Sequence, residues 1–379
     1  MPHPLPSSGS SAAHPPRRSG GWRPRLPRRR ARRALFLAVY ALFCVGLVSG
    51  TVRWFWRVRG NPDNPWEFYY PELRRTGLTK AVLTRHDDTF DVLLLGGSVL
   101  EPAWGDIEHR LRQRLSGVAP DRFRLFNLAC VAHTSRDSYL KYSHLEEKSL
   151  DLVIVYDGIN DVRMNNVPPE LFRDDYSHCG WYRSVEKCLE LGRVSLPAAV
   201  RQQFQTLGET IGLGGPRTDE QADYGKEIKT PVAFRKNLLG ILRLAEARGD
   251  AVLFNTYASH IPDDYSRERF DAMELDYSYR PDGRSCGVEM WGRPENVRAT
   301  LAAHNEELRR LVVEHPTVRL VDQARLIEGS GAHFVDPCHL TRKGCEAFVD
   351  NLWPQVLQRW QEWQASESES VADEPGNRR

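Results

Sequence analysis

The sequence predicts a doubly wound α/β domain, a three-layer sandwich with a mostly parallel five-stranded sheet, preceded by one N-terminal transmembrane helix. Three observations lead there. Nineteen uncharged, mostly apolar residues at 34–52 lie between arginines. From residue 90 onward, short apolar runs alternate with longer stretches of helical spacing. The composition, 41% hydrophobic and 27% charged over 379 residues, is that of a globular protein and not of a fibrous or wholly disordered chain.

The N-terminus comes first. Residues 1–33 hold nine arginines and no acid, so the overall net charge of +2 leaves −7 for the rest of the chain, which argues against a nucleic-acid-binding body. This Pro-, Ser- and Arg-rich head is expected to be disordered and cytoplasmic. Ala34–Val52, at 1.5 Å per residue, spans about 28 Å as a helix, close to the thickness of a hydrocarbon core. The arginine excess before it, against Arg53, Arg57 and Arg59 after it, places the N-terminus in the cytoplasm and the body outside it. Trp54, Phe55 and Trp56 suit the membrane interface. An uncleaved anchor is preferred to a cleaved signal, for which the stretch is long and Val48-Ser49-Gly50 is a poor site, and to a buried core helix.

Residues 53–89, with Pro62, Pro65 and Pro71, read as a membrane-proximal lead-in or stalk. The domain proper is expected at 90–363. Its strands are predicted at Phe90–Leu95, Phe123–Leu128, Leu152–Tyr156, Ala251–Thr256 and Val318–Val321, and its helices near 105–116, 136–148, 231–248, 296–314 and 342–363. Trp353, Trp360 and Trp363 are expected on one helix face against the sheet. Two stretches, 164–228 and 258–294, fit the alternation poorly and read as insertions over the rim where such sheets bind ligands. The Ser- and acid-rich tail, 364–379, is expected to be disordered. Of seven cysteines, Cys44 lies in the apolar stretch; Cys179 and Cys188 are the best local candidates for a disulfide, with unpaired buried thiols an equal alternative. Neither CxxC nor HExxH spacing occurs, so no zinc site is expected.

Three segments deliver polar residues to strand ends. Gly96-Gly97-Ser98 follows the first strand; alone it is equally an ordinary turn or a phosphate-binding loop. Gly158-Ile159-Asn160-Asp161 follows the third. Asn160 is placed either to donate to a developing oxyanion or to cap a turn, and Asp157 and Asp161 read as structural. Asp336-Pro337-Cys338-His339 follows the fifth, where a carboxylate three residues before an imidazole has the geometry a base-activated serine needs. Thr341 is placed to cap the next helix. His133 reads as a surface histidine.

In this order the three segments resemble the blocks of the SGNH (GDSL-type) hydrolase family over roughly residues 90–160 and 315–355. Gly96-Gly97-Ser98 looks like its first block, Gly158-Ile159-Asn160-Asp161 its third, and Asp336-Pro337-Cys338-His339 with Leu340, Thr341 and Gly344 its last. The resemblance implies a flavodoxin-like sheet, Ser98 as nucleophile, His339 as general base and Asp336 as its orienter. It also implies an oxyanion hole from the Ser98 N–H, the Asn160 side chain and the N–H of Ala132, with Gly97 and Gly158 supporting. Ala132 stands where the family has glycine, a weakening if that position needs positive φ, and Gly97 stands where aspartate is frequent. The implied chemistry is ester hydrolysis through an acyl-enzyme, with no metal or cofactor required. With the outward topology, it points to an O-acyl (O-acetyl) group of an extracytoplasmic glycan or lipid. One rival keeps the site but makes the chain an O-acetyltransferase for surface polysaccharide beside a membrane acyl-donor partner. A second makes it a non-catalytic glycan-binding or assembly protein. A third, a nucleotide or flavin binder, lacks both GxxxxGK[ST] and GxGxxG.

Overall fold

The computed structural model describes residues 28–59, 64–84, 88–194 and 218–372. The head up to residue 27, the tail from 373, and 195–217 of the first insertion lie outside them. The chain divides into two units, Met1–Phe55 and Trp56–Arg379.

A helix that begins in the first unit runs through Arg28–Arg59, past that unit's end at Phe55, and among the described residues it contains the one stretch, Arg32–Trp54, long and apolar enough to cross a membrane. It outruns the expected 34–52 at both ends because arginine and tryptophan are no barrier to helix propagation. Phe36 and Leu42 are exposed. The two hydroxyls in its second half bond back one turn, Ser49 Oγ to the Val45 carbonyl at 2.6 Å and Thr51 Oγ1 to that of Leu47 at 2.8 Å, which satisfies them without water.

In the second unit five strands, β1 Phe90–Gly96, β2 Phe123–Asn127, β3 Leu152–Tyr156, β4 Ala251–Asn255 and β5 Arg319–Val321, form one sheet in the order β2-β1-β3-β4-β5. Every pairing is parallel, so "mostly parallel" becomes wholly parallel. The central strands β1 and β3 are buried throughout, as contiguous apolar runs require when helices cover both faces. The winding reverses between β1 and β3. Their carboxyl ends therefore border the crevice where such sheets bind ligands, and Ser98 and Asn160 follow those two strands.

The covering helices have plain local causes. Thr230–Arg248 starts with a proline in its first turn and stops at Gly249, whose φ of 71° is left-handed. It buries Phe234, Leu238, Ile241, Leu242 and Ala245 at three- and four-residue spacing. Pro294–Glu314 likewise buries Val297, Leu301, Leu308 and Leu311. The last helix, Arg342–Ala372, packs Trp360 and Trp363 edge-on to Phe90, while Trp353 is partly buried beside the same core.

Two expectations need correcting, and one alternative left open is decided. The segment before residue 90 is no stalk: the short helices Pro65–Tyr69 and Pro71–Arg75 bury Phe68, Tyr69, Glu72 and Leu73. Their prolines open helices instead of breaking them. Residues 364–372, expected as disordered tail, continue the last helix; Glu favours helix, and Ser366 and Ser368 bond back to the carbonyls of Trp363 and Gln364. No disulfide joins Cys179 to Cys188. They lie nine residues apart along one helix, Gly180–Glu190 with Cys179 at its N-cap, about 13 Å by helical rise. The Cys188 thiol sits 3.6 Å from the Tyr69 hydroxyl instead.

Candidate active site

Ser98 opens a single 3-10 turn just past β1 and is 6% exposed. Its Oγ lies 2.8 Å from His339 Nε2. On the other side of the ring, Nδ1 lies 2.7 Å from Asp336 Oδ2. The loop supplying both partners is pinched by a bridge between Phe334 and Leu340 and by the Val335 N–H to the His339 carbonyl. Thr341 Oγ1 accepts the Gly344 N–H at 3.0 Å and so caps the helix that follows.

Asp336 is fully buried and held by backbone. Its Oδ1 accepts the N–H groups of Cys338 and His339 at 3.0 and 2.8 Å, and its Oδ2 accepts that of Cys286 at 2.9 Å. Burial alone pushes its pKa up, but the His339 ring and these N–H groups outweigh that and hold it below the ordinary value, so it is a carboxylate at neutral pH. Burial, followed by the Asp336 charge, pushes the neighbouring thiols the other way, Cys338 well above its ordinary value and Cys286 up to about 12. Neither is a thiolate that would compete as nucleophile.

Of the three residues expected to form an oxyanion hole, Asn160 lies beside Gly97, next to Ser98, and Ala132 adjoins His133, whose carbonyl Asn160 contacts. Asn160 Nδ2 donates one proton to that carbonyl at 2.9 Å. A Cβ at Gly97 would fall 2.8 Å from this nitrogen, so glycine is needed for the amide to come so close. We expect Gly97→Ala to lower kcat for an acyl ester about tenfold with little change in KM, because it displaces a donor and not the substrate; steady-state kinetics checks this. Gly158 sets up the turn carrying Asn160, and a Cβ there would meet Tyr257 Cβ at 2.9 Å. Ala132 has a φ of 65°. The position does need the left-handed region, at a cost of roughly 1–2 kcal/mol for a residue with a Cβ. Neighbouring bonds hold it: the Val131 N–H to Glu101 Oε2 at 2.8 Å, and the Arg163 guanidinium to the Ala132 carbonyl.

Several residues at the site were not legible from motifs. The Trp104 ring stacks on His339 with centroids 4.2 Å apart, and the guanidinium groups of Arg280 and Arg284 lie 5.5 Å from that indole. Trp291 Nε1 donates to Asn160 Oδ1 at 3.1 Å. His133, expected at the surface, is buried at 8% exposure because the segment before β1 folds over it. Its Nδ1 is 3.0 Å from Lys141 Nζ, which also faces Glu72 at 3.3 Å, and burial together with the Lys141 charge lowers its pKa. Asp161 accepts from the Ser135 N–H and from the Ser135 and Tyr176 hydroxyls, a bracing role.

Asp157 is pushed up to about 8, first by burial and then by the charge of Asp161. The folded protein keeps this proton at neutral pH, whereas the unfolded chain releases it near pH 4. Stability is therefore undiminished below about pH 4 and declines as pH rises to about 8. Asp157→Asn removes the ionisation, so its Tm should match wild type near pH 4 and exceed it by several degrees near pH 9 in thermal melts at both pH values.

Two sets of side chains bring metal-type donor atoms within 4.8 Å of one another, Glu72 with Cys130 and His133, and Cys286 with Asp336 and His339. Each set joins two residues three apart in the sequence to a third from a distant segment, Glu72 or Cys286, and it is this third member that motif spacing did not reveal. In the first set the Lys141 ammonium stands against both Glu72 and His133. In the second the carboxylate already accepts three backbone N–H groups as well as the His339 ring.

No family model and no curated protein matches this chain. Among solved structures, it is similar to a candidate acylhydrolase from Bacteroides fragilis (14% identity, TM-score 0.41, covering 76% of this chain and 96% of that one). It is also similar to a GDSL-like lipase from Bacteroides thetaiotaomicron (12%, 0.42, 76% and 98%) and to an acetyl xylan esterase (15%, 0.38, 70% and 100%). These are remote likenesses. What the arrangement can do chemically follows from its own atoms: a serine hydroxyl, a ring nitrogen to take its proton, and a carboxylate to fix that ring.

Proposed function

We propose that this chain is a membrane-anchored serine esterase of the SGNH type that removes O-acyl groups, acetyl in particular, from an extracytoplasmic glycan or lipid. The observation that carries the proposal is the unbroken relay from Ser98 Oγ to His339 Nε2 at 2.8 Å and from His339 Nδ1 to Asp336 Oδ2 at 2.7 Å. The Ser98 oxygen attacks the ester carbonyl as His339 takes its proton. The carbonyl oxygen, now negative, is held by the N–H groups of Ser98 and Ala132 and the Asn160 amide. Collapse expels the alcohol, to which His339 returns the proton; water then enters by the same route and releases the acid.

The helix at Arg32–Trp54 and the arginines before it support an anchor with the body outside the cytoplasm.

The test uses the full-length protein in detergent with p-nitrophenyl acetate and with an O-acetylated oligosaccharide, measuring acetate release with and without a deacetylated acceptor. Acetate release that does not depend on acceptor supports the esterase. Acetyl transfer seen only with acceptor, or only with a membrane acyl-donor partner, favours the transferase; no turnover of either substrate by folded protein favours a binding role.

A further inference from the structure

We infer that Trp291 is a positioning residue for the oxyanion hole: its indole N–H fixes and polarises the Asn160 amide so that the amide nitrogen faces the nucleophile. This rests on the esterase reading, in which Asn160 donates to the oxyanion. An asparagine amide has two orientations of nearly equal shape, and only one of them presents a donor. Here the Trp291 indole donates to Oδ1 at 3.1 Å while Nδ2 donates to the His133 carbonyl at 2.9 Å. Turning the amide over would set N–H against N–H on one side and carbonyl against oxygen on the other, with Asn160 6% exposed and Trp291 2% exposed, too buried for water to relieve either clash. Donation to Oδ1 also draws charge from the amide and strengthens its remaining N–H, the one beside Gly97 and Ser98.

Trp291 comes from the second insertion, just after the short turn Val288–Met290, and the first insertion holds it there: Asn166 Nδ2 donates to the Trp291 carbonyl at 2.8 Å. The two segments that fit the strand-and-helix alternation worst thus meet at Trp291, the residue that holds the Asn160 amide.

The experiment is a double-mutant cycle on p-nitrophenyl acetate hydrolysis by the full-length protein, with Ser98→Ala as the zero. Asn160→Ala should lower kcat roughly 10²- to 10³-fold, as loss of one oxyanion donor does. Trp291→Phe should lower kcat about tenfold with KM within about twofold of wild type. In the Asn160→Ala background it should lower kcat no further, because a residue that acts only through Asn160 has nothing left to act on. A Trp291→Phe loss that multiplies with that of Asn160→Ala, a loss confined to KM, or no loss overturns the inference and leaves the esterase reading standing. Activity unaffected by both Ser98→Ala and Asn160→Ala overturns both. If Trp291→Phe does not fold, the same cycle with Asn166→Ala, which releases the Trp291 backbone, is read the same way.

Discussion

Ser98→Ala lowers kcat on an acyl ester by roughly 10⁴- to 10⁶-fold and leaves the folded protein intact. Loss of this size follows because alanine removes the atom that bonds to the acyl carbon, so no acyl-enzyme forms and water must attack unaided. Folding should survive because, among the described residues, the hydroxyl's one partner is His339 Nε2 and the turn at Ser98–Leu100 is held by backbone bonds, among them the Glu101 N–H to the Ser98 carbonyl at 3.0 Å. Burst kinetics on an activated ester, with circular dichroism of both proteins, checks it. Residual turnover within tenfold of wild type would place the nucleophile elsewhere.

Asp336→Asn is expected to lower kcat about 10⁴-fold with KM nearly unchanged. The substituted side chain can still accept the N–H groups of Cys338 and His339 at Oδ1, so the loop keeps its shape. At the Oδ2 position, however, an NH₂ group replaces a carboxylate oxygen, and it faces His339 Nδ1 across 2.7 Å. A donor there forces the imidazole proton onto Nε2, the nitrogen that has to accept from Ser98, and removes the charge that stabilises the imidazolium. The Cys286 N–H, which Oδ2 accepts at 2.9 Å, is left facing a donor too, so a small fall in Tm should accompany the loss. Steady-state kinetics and a thermal melt of the same sample separate the two effects.

Much of this was legible in the sequence, for reasons that differ by residue. The strands could be read because buried parallel strands are unbroken apolar runs, and Leu152–Tyr156 is found at its expected bounds. Ser98 and Asn160 could be read because each sits within a few residues of a strand end and the sheet gathers strand ends on one rim; Asp336 and His339, 15 and 18 residues past Val321 with a short helix between, could be read only from their three-residue spacing. Trp104, Trp291 and Lys141 could not, since an indole or an ammonium in a loop or helix has no pattern that says which distant atom it meets; Trp291 and Asn160 are 131 residues apart. The left-handed backbone at Ala132 was raised only by the glycine that the resembled family has there, because alanine itself does not advertise positive φ. The prolines at 65 and 71 misled because a proline that opens a short helix and one that stiffens a stalk look alike until Tyr70 is seen donating to Asp137 at 3.1 Å and Glu72 facing Lys141.

The central claim is that Ser98 is a nucleophile activated by His339, and covalent labelling with a fluorophosphonate tests it most directly. The Ser98 oxygen bonds to phosphorus as fluoride leaves and His339 takes the hydroxyl proton, which stops the reaction at a stable adduct. Mass spectrometry of the labelled full-length protein should find one phosphonyl group per chain, on the peptide containing Ser98, absent from Ser98→Ala and formed far more slowly in Asp336→Asn. Folded protein that takes no label, or that is labelled elsewhere and equally fast in Ser98→Ala, would contradict it.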